Sequence, residues 1–172
     1  MLSVETEIAG GPWPDAAAWD SRAAAAVAAA LVLTPHAELV DAAPLVEVSV
    51  RLSDDAEVQA LNRDYRGKDA PTNVLSFPQI QADLIDYMAN SDDGEILLGD
   101  IVLAYATCAR EAADKGISLT DHAVHLIVHG ALHLVGYDHG DEVSALHMEA
   151  LEVKALASLG IGNPYERGEP AT

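Results

Sequence analysis

The most regular pattern in the chain lies at residues 45–52, where Val46, Val48, Val50 and Leu52 alternate with Glu47, Ser49 and Arg51. A period of two predicts a strand with one face buried. Weaker alternation at Val4, Thr6 and Ile8 predicts a strand over 3–8. Two more strands are predicted at 73–77, between Pro71 and Pro78, and at about 97–103. Helical spacing accounts for the rest. Trp19, Ala23, Val27, Ala30 and Leu31 form one stripe of a helix over 16–33, with Asp15 as its cap and Pro35 beyond its end. Ser53 is placed to cap a helix over 54–65, with Val58, Leu61 and Tyr65 inward and Gly67 past its end. A helix over 104–115 stops at Gly116, and Ser118 with Asp121 three residues later opens the next, a variant of the capping box. Asp141 caps a last helix over 142–159, with Val143, Leu146, Ala150, Val153 and Leu156 inward and Gly160 as its stop. Between the last two strands, residues 79–95 carry Asp83, Asp86, Asp92, Asp93 and Glu95 and read as a mobile or functional connection.

These elements define an α+β chain: a small four-stranded mixed sheet packed with about five helices. At 172 residues it is expected to be a single domain over 1–172, with a frayed tail at 165–172. No internal repeat is present. Half of the residues are hydrophobic and the aromatics are few, so the core is built mainly from Ala, Val, Leu and Ile. Cys108 is the single cysteine, which excludes an internal disulfide and a cysteine-based zinc ribbon, and it suits a reducing cytoplasm. The longest apolar run, Ala23 to Leu33, is too short to span a bilayer, and the amino terminus has no secretory pattern. The expectation is a cytoplasmic protein without a membrane partner.

The formal net charge of −19 argues against a general nucleic-acid surface, because phosphate binding rests on Lys and Arg. Charge can still be local. Three of the nine basic residues, Arg63, Arg66 and Lys68, fall within six positions, and a polyanion is expected there if anywhere.

The chemistry concentrates in the run His-Gly-Ala-Leu-His-Leu-Val-Gly-Tyr-Asp-His at 129–139. His129 and His133 are four apart and share a helix face. Gly136 accepts the positive φ of a turn that brings His139 back toward them. Without a metal, so apolar a helix would bury polar rings that each need a partner. Three imidazoles with a vacant fourth position make the usual zinc site of a hydrolase, so His129, His133 and His139 are the expected ligands of one Zn2+. Nickel and copper also suit imidazole. The spacing is that of the extended zincin pattern with Gly130 in place of the glutamate that serves metalloproteases as general base, which weakens a peptidase reading. Zinc alone lowers the pKa of a bound water to near 7. Asp138 and Asp100 are the carboxylates considered as helpers, Asp100 rather as a contact supporting a histidine.

The second informative stretch is Asp-Tyr-Arg-Gly-Lys-Asp-Ala-Pro-Thr-Asn-Val-Leu-Ser-Phe-Pro at 64–78. It sets Arg66 at a helix end before a tight turn and a strand, and the planar guanidinium fork suits two phosphate oxygens. Together with Leu-Gly-Asp-Ile-Val at 98–102, and Met148 and Glu152 beyond the last histidine, these motifs resemble the YbeY family of ribosomal-RNA maturation factors over about residues 45–160. The resemblance implies a zinc-dependent endoribonuclease that prefers single strands. Its implied substrate is precursor ribosomal RNA, at the 16S 3′ end, with the small ribosomal subunit or its associated proteins as partners and a part in ribosome quality control. It implies His129, His133 and His139 as zinc ligands and Arg66 as a required arginine. Two other readings remain: another metallohydrolase, or a ribosome-associated factor in which zinc only staples helices. A fourth protein ligand such as His125 or Asp138 would favour the last.

Overall fold

The computed structural model describes residues 1–42, 44–90 and 94–165. Four strands form one mixed sheet: β1 (Leu2–Ile8), β2 (Leu45–Ser53), β3 (Val74–Pro78) and β4 (Glu95–Ala104). The order is β1-β2-β4-β3, with β1 and β4 parallel to β2 and β3 antiparallel to β4. Six α-helices surround it: α1 (Trp19–Leu31), α2 (Asp55–Arg66), α3 (Ile85–Ala89), α4 (Tyr105–Lys115), α5 (Leu119–Leu134) and α6 (Glu142–Ser158). The expected α+β architecture is therefore present, with one helix more than the pattern showed. That helix, α3, is a five-residue element inside the acidic connection, and its Ile85 is fully buried. Its shortness hides it from any helical period. Asp92 and Asp93 of the same connection lie outside the described residues.

The predicted alternation of β2 is realised: Val46, Val48, Val50 and Leu52 all enter the main core with α1 and α5. On the opposite face α2 packs Val58 against Leu75, Val102 and Ala104. β4 thus serves both faces, with Ile101 and Leu103 toward α5 and Val102 and Ala104 toward α2. A strand buried on both faces loses clean alternation, which is why 101–104 is a continuous apolar run.

Local chemistry corrects several boundaries. Asp15 does not cap α1: it sits at φ 52° and pairs with Arg22 at 3.2 Å, and a 3-10 turn at Ala16–Ala18 precedes the helix. The cap of α2 is Asp54, whose carboxylate accepts the Glu57 N–H at 2.9 Å, whereas Ser53 donates to the Glu57 side chain. Tyr65 is exposed and meets Phe77 edge-on instead of entering the core. Ser118 and Asp141 do cap α5 and α6 through Asp121 N–H and Ser144 N–H. The buried stripe of α6, however, is Met148, Leu151, Glu152, Ala155 and Leu156, while Val143 and Leu146 face solvent. The reason is Glu152, a charged residue at the centre of the packed face, which apolar spacing assigns to the surface. The tail beyond Tyr165 lies outside the described residues. Tyr165 itself is fastened, with its N–H on the Asn163 side chain at 2.8 Å.

Candidate metal centre

Helix α5 carries the site. It is apolar on nearly every side, with Val124, Leu126, Ile127, Val128, Leu132 and Leu134 buried, so it runs through the core against α1 and the sheet. Its polar residues then need built-in partners. His122 meets Glu111 of α4 at 2.8 Å, and His125 meets Glu152 of α6 at 2.6 Å. His129 and His133, one turn apart, emerge at the end of the helix, where burial gives way to a cleft.

The turn that follows is decisive. Gly136 stands at φ 102° and donates its N–H to His133 O, while Tyr137 N–H reaches Leu132 O. A side chain at Gly136 would also come within 2.7 Å of Ala82 Cβ. The chain reverses there, and His139 returns over the helix end. The three rings lie with centroids 4.6, 5.0 and 5.4 Å apart. One ring nitrogen from each falls within 4.8 Å of the others, and His129 Nε2 and His133 Nε2 are 3.1 Å apart. Two nitrogens bound to one zinc at tetrahedral angles sit about 3.3 Å apart for ordinary Zn–N bonds. The donor set fits a cation of that kind.

Electrostatics favour a neutral ring at His133. Burial, with the neighbouring His129 and His139, lowers the pKa of His133 to about 4. A neutral imidazole is the form that ligates. Behind the ligands, Glu152 is wholly buried and accepts from His129 Nδ1 at 2.8 Å. Burial pushes its carboxyl up, but hydrogen bonds from His125, His129 and Tyr165 outweigh that and hold it at about 2. The sequence pattern noted the position of Glu152 without a role. The signal that could have found it is helical spacing, since Glu152 lies four residues from both Met148 and Leu156 and so shares their face.

Gly130 is buried between His129 and the sheet. An added Cβ would lie 2.9 Å from Ile101 Cγ2 and 3.0 Å from Ser76 Oγ. No glutamate fits there, so the zincin base is excluded by packing as well as by sequence.

The three histidines open onto a cleft of about 850 Å3 whose other wall is the segment from Asn62 to Pro78. Arg66 lines it, with one guanidinium nitrogen anchored on Ser76 O at 3.0 Å, and Lys68 lines it too. Among the described residues Asp138 is the single carboxylate of the lining; its Oδ1 accepts the His139 N–H at 2.7 Å. Two expected residues are elsewhere. Arg63 is not part of the lining and pairs with Asp64 at 3.1 Å. Asp100 lies with Val102 on the α2 face of the sheet, where Gln79 contacts it, and it supports no histidine. The supporting carboxylate is Glu152. Cys108 is fully buried, and burial pushes its thiol up to about 12, so it is an apolar filler.

Fold and cleft define a class: an α+β protein in which three convergent histidines, two on α5 and one beyond its closing turn, face Arg66 and Lys68 across one groove. The family profile described as endoribonuclease YbeY matches residues 17–160, and the chain belongs to that family. Curated relatives bear the same name. The one from Sphingopyxis alaskensis is 75% identical over 165 residues, covering 96% of this chain and 98% of its own length. The one from Rhizorhabdus wittichii is 60% identical over 153 residues, covering 89% of this chain and 90% of its own. The solution structure of TM1509 from Thermotoga maritima shares the fold with a TM-score of 0.54 at 21% identity, covering 100% of this chain and 99% of that one. The chain is thus an endoribonuclease by family, as the motifs implied. Among the described residues no helix is long and apolar enough to cross a membrane.

Proposed function

We propose that the cleft cuts single-stranded RNA with one Zn2+ held by His129, His133 and His139. The observation that carries this is the pairing, in one groove, of three convergent imidazoles with Arg66 and Lys68. When bound there, zinc supplies a water ionised near neutral pH and a Lewis acid for a phosphate oxygen. The chain's own residues do the rest. Arg66, steadied by the β3 carbonyl of Ser76, offers its remaining N–H groups to phosphate oxygens and offsets the charge that grows in the transition state. Lys68 meets the adjoining backbone. Asp138, the one acid of the lining among the described residues, is the side chain placed to take a proton. A single strand can splay its bases into such a cleft, whereas a duplex keeps them paired and stacked.

Family membership supports precursor ribosomal RNA as substrate, at the 16S 3′ end, with the small ribosomal subunit as the setting and a part in its quality control. The same reading places a single metallo-endoribonuclease domain over 1–172 in the cytoplasm. The fully structural role for zinc is disfavoured because, among the described residues, the donor atoms lying within 4.8 Å of one another come from His129, His133 and His139, and neither His125 nor Asp138 adds a fourth.

The test compares purified protein with His129→Ala on labelled single-stranded RNA, duplex RNA and casein. The expected result is one zinc per chain and single-strand cleavage for the natural protein, and loss of both in the variant. Full ribonuclease activity in metal-free His129→Ala would overturn the mechanism.

A further inference from the structure

We infer that Tyr165 and His125 are positioning residues of the metal centre, acting through Glu152 on His129. The inference rests on the metal site proposed above. Glu152 is the hub. Its Oε2 accepts from His129 Nδ1 at 2.8 Å, and its Oε1 accepts from His125 Nε2 at 2.6 Å and from the Tyr165 hydroxyl. An acceptor on Nδ1 keeps the proton there and leaves the Nε2 lone pair for the cleft, where His133 Nε2 stands 3.1 Å away. The orientation of His129 is therefore only as firm as that of Glu152.

Glu152 has no exposed surface, so bulk solvent does not reach it. Its second oxygen is fixed by two donors from separate parts of the fold, α5 and the turn after α6. Tyr165 meets the His125 ring edge-on at 5.6 Å, so one residue touches both the hub and its other donor. The turn is itself built: Pro164 is buried, and Asn163 holds the Tyr165 N–H. Tyr165 lies beyond residue 160, where the match to the family profile ends. Removing its hydroxyl leaves Oε1 with one donor and lets the carboxylate rotate away from His129.

The experiment measures zinc affinity of the full-length protein by chelator competition, and the visible spectrum of the cobalt form, for the natural protein, Tyr165→Phe, Glu152→Gln and the double variant. Expected are a fall of ~10- to 100-fold for Glu152→Gln, a fall of several-fold for Tyr165→Phe with altered cobalt bands and unchanged far-ultraviolet dichroism, and no added loss for Tyr165→Phe in the Glu152→Gln background. Affinity of Tyr165→Phe within two-fold of the natural protein overturns the inference, as does a full second loss in the double variant. Should Glu152→Gln fail to fold, Tyr165→Phe alone decides. Failure of the underlying site is a separate outcome: the natural protein, or His129→Ala equally with it, would then show no specific zinc binding.

Discussion

Gly130 and Arg66 show how single positions divide the labour. At 130 the space that a metalloprotease would give its base is filled by Ile101 and Ser76. Gly130→Ala is expected to cost ~1–3 kcal/mol through overpacking, read as a lowered urea midpoint. Arg66 sits at the surface, and its hydrogen bond to Ser76 O, at an exposed side chain, is expected to add little to folding. Arg66→Glu should therefore keep the zinc and the thermal midpoint while lowering cleavage ~100-fold or more, as loss of a transition-state donor does. Zinc content measured beside RNA cleavage separates this from a folding defect. Both positions were legible in the sequence, one as an anomaly in a motif and the other as an arginine in a basic cluster. Asp100 was not, because a strand residue's face depends on which side of the sheet its neighbours occupy, and β4 is covered on both.

At the scale of elements, α5 has to be both core and site. Its apolar length anchors it between α1 and the sheet, and only its last turn and the Gly136 reversal reach the cleft. Its first turn is held by the Ser118 hydroxyl on Asp121 N–H. Ser118→Ala should lower stability by ~1 kcal/mol, or a midpoint drop of ~2–4 °C for a chain of this size, with zinc affinity unchanged because the ligands lie at the other end. A large loss of zinc affinity would show that the helix does not act as a rigid bar. The helix, its cap and its histidines followed from spacing alone. The inward face of α6 did not, since Glu152 occupies it to serve His125 and His129 on α5, and a partner on another helix leaves no periodic mark.

For the molecule as a whole, charge and buried histidines set the response to solution conditions. The surface is strongly acidic, yet among the described residues the cleft offers Arg66 and Lys68 against Asp138 alone. With two phosphate contacts, RNA affinity should follow salt with a log–log slope of about −1.4. A much steeper slope in binding isotherms would require basic residues outside the cleft. Acid should loosen the metal-free fold through His133, whose pKa burial lowers to about 4, and in part through His122. Burial lowers the pKa of His122 despite its hydrogen bond to Glu111. Below pH 6.5 the unfolded chain takes up protons that folded His133 and His122 still refuse, so the unfolded state binds more protons and stability falls as pH falls, until the folded pKa values are passed. Urea midpoints of chelated protein should therefore drop between pH 7.5 and 5.5, and His122→Gln should flatten that drop in part.

Spacing along the chain determined what is local: the strands and every helix but α3, the caps of α5 and α6, the pair of histidines a turn apart, and the glycine able to reverse the backbone behind them. These follow from periods of two and 3.6 residues and from the steric freedom of glycine, all of which act over a few neighbours. Only tertiary structure decided which face each β4 residue takes, that His125 serves Glu152, that Glu152 and Tyr165 come to stand behind His129, and that Arg66 and Lys68 share a groove with the imidazoles while Arg63 does not. Those contacts join segments tens of residues apart, and they are set by how helices pack over a sheet, not by the order of residues within any one element.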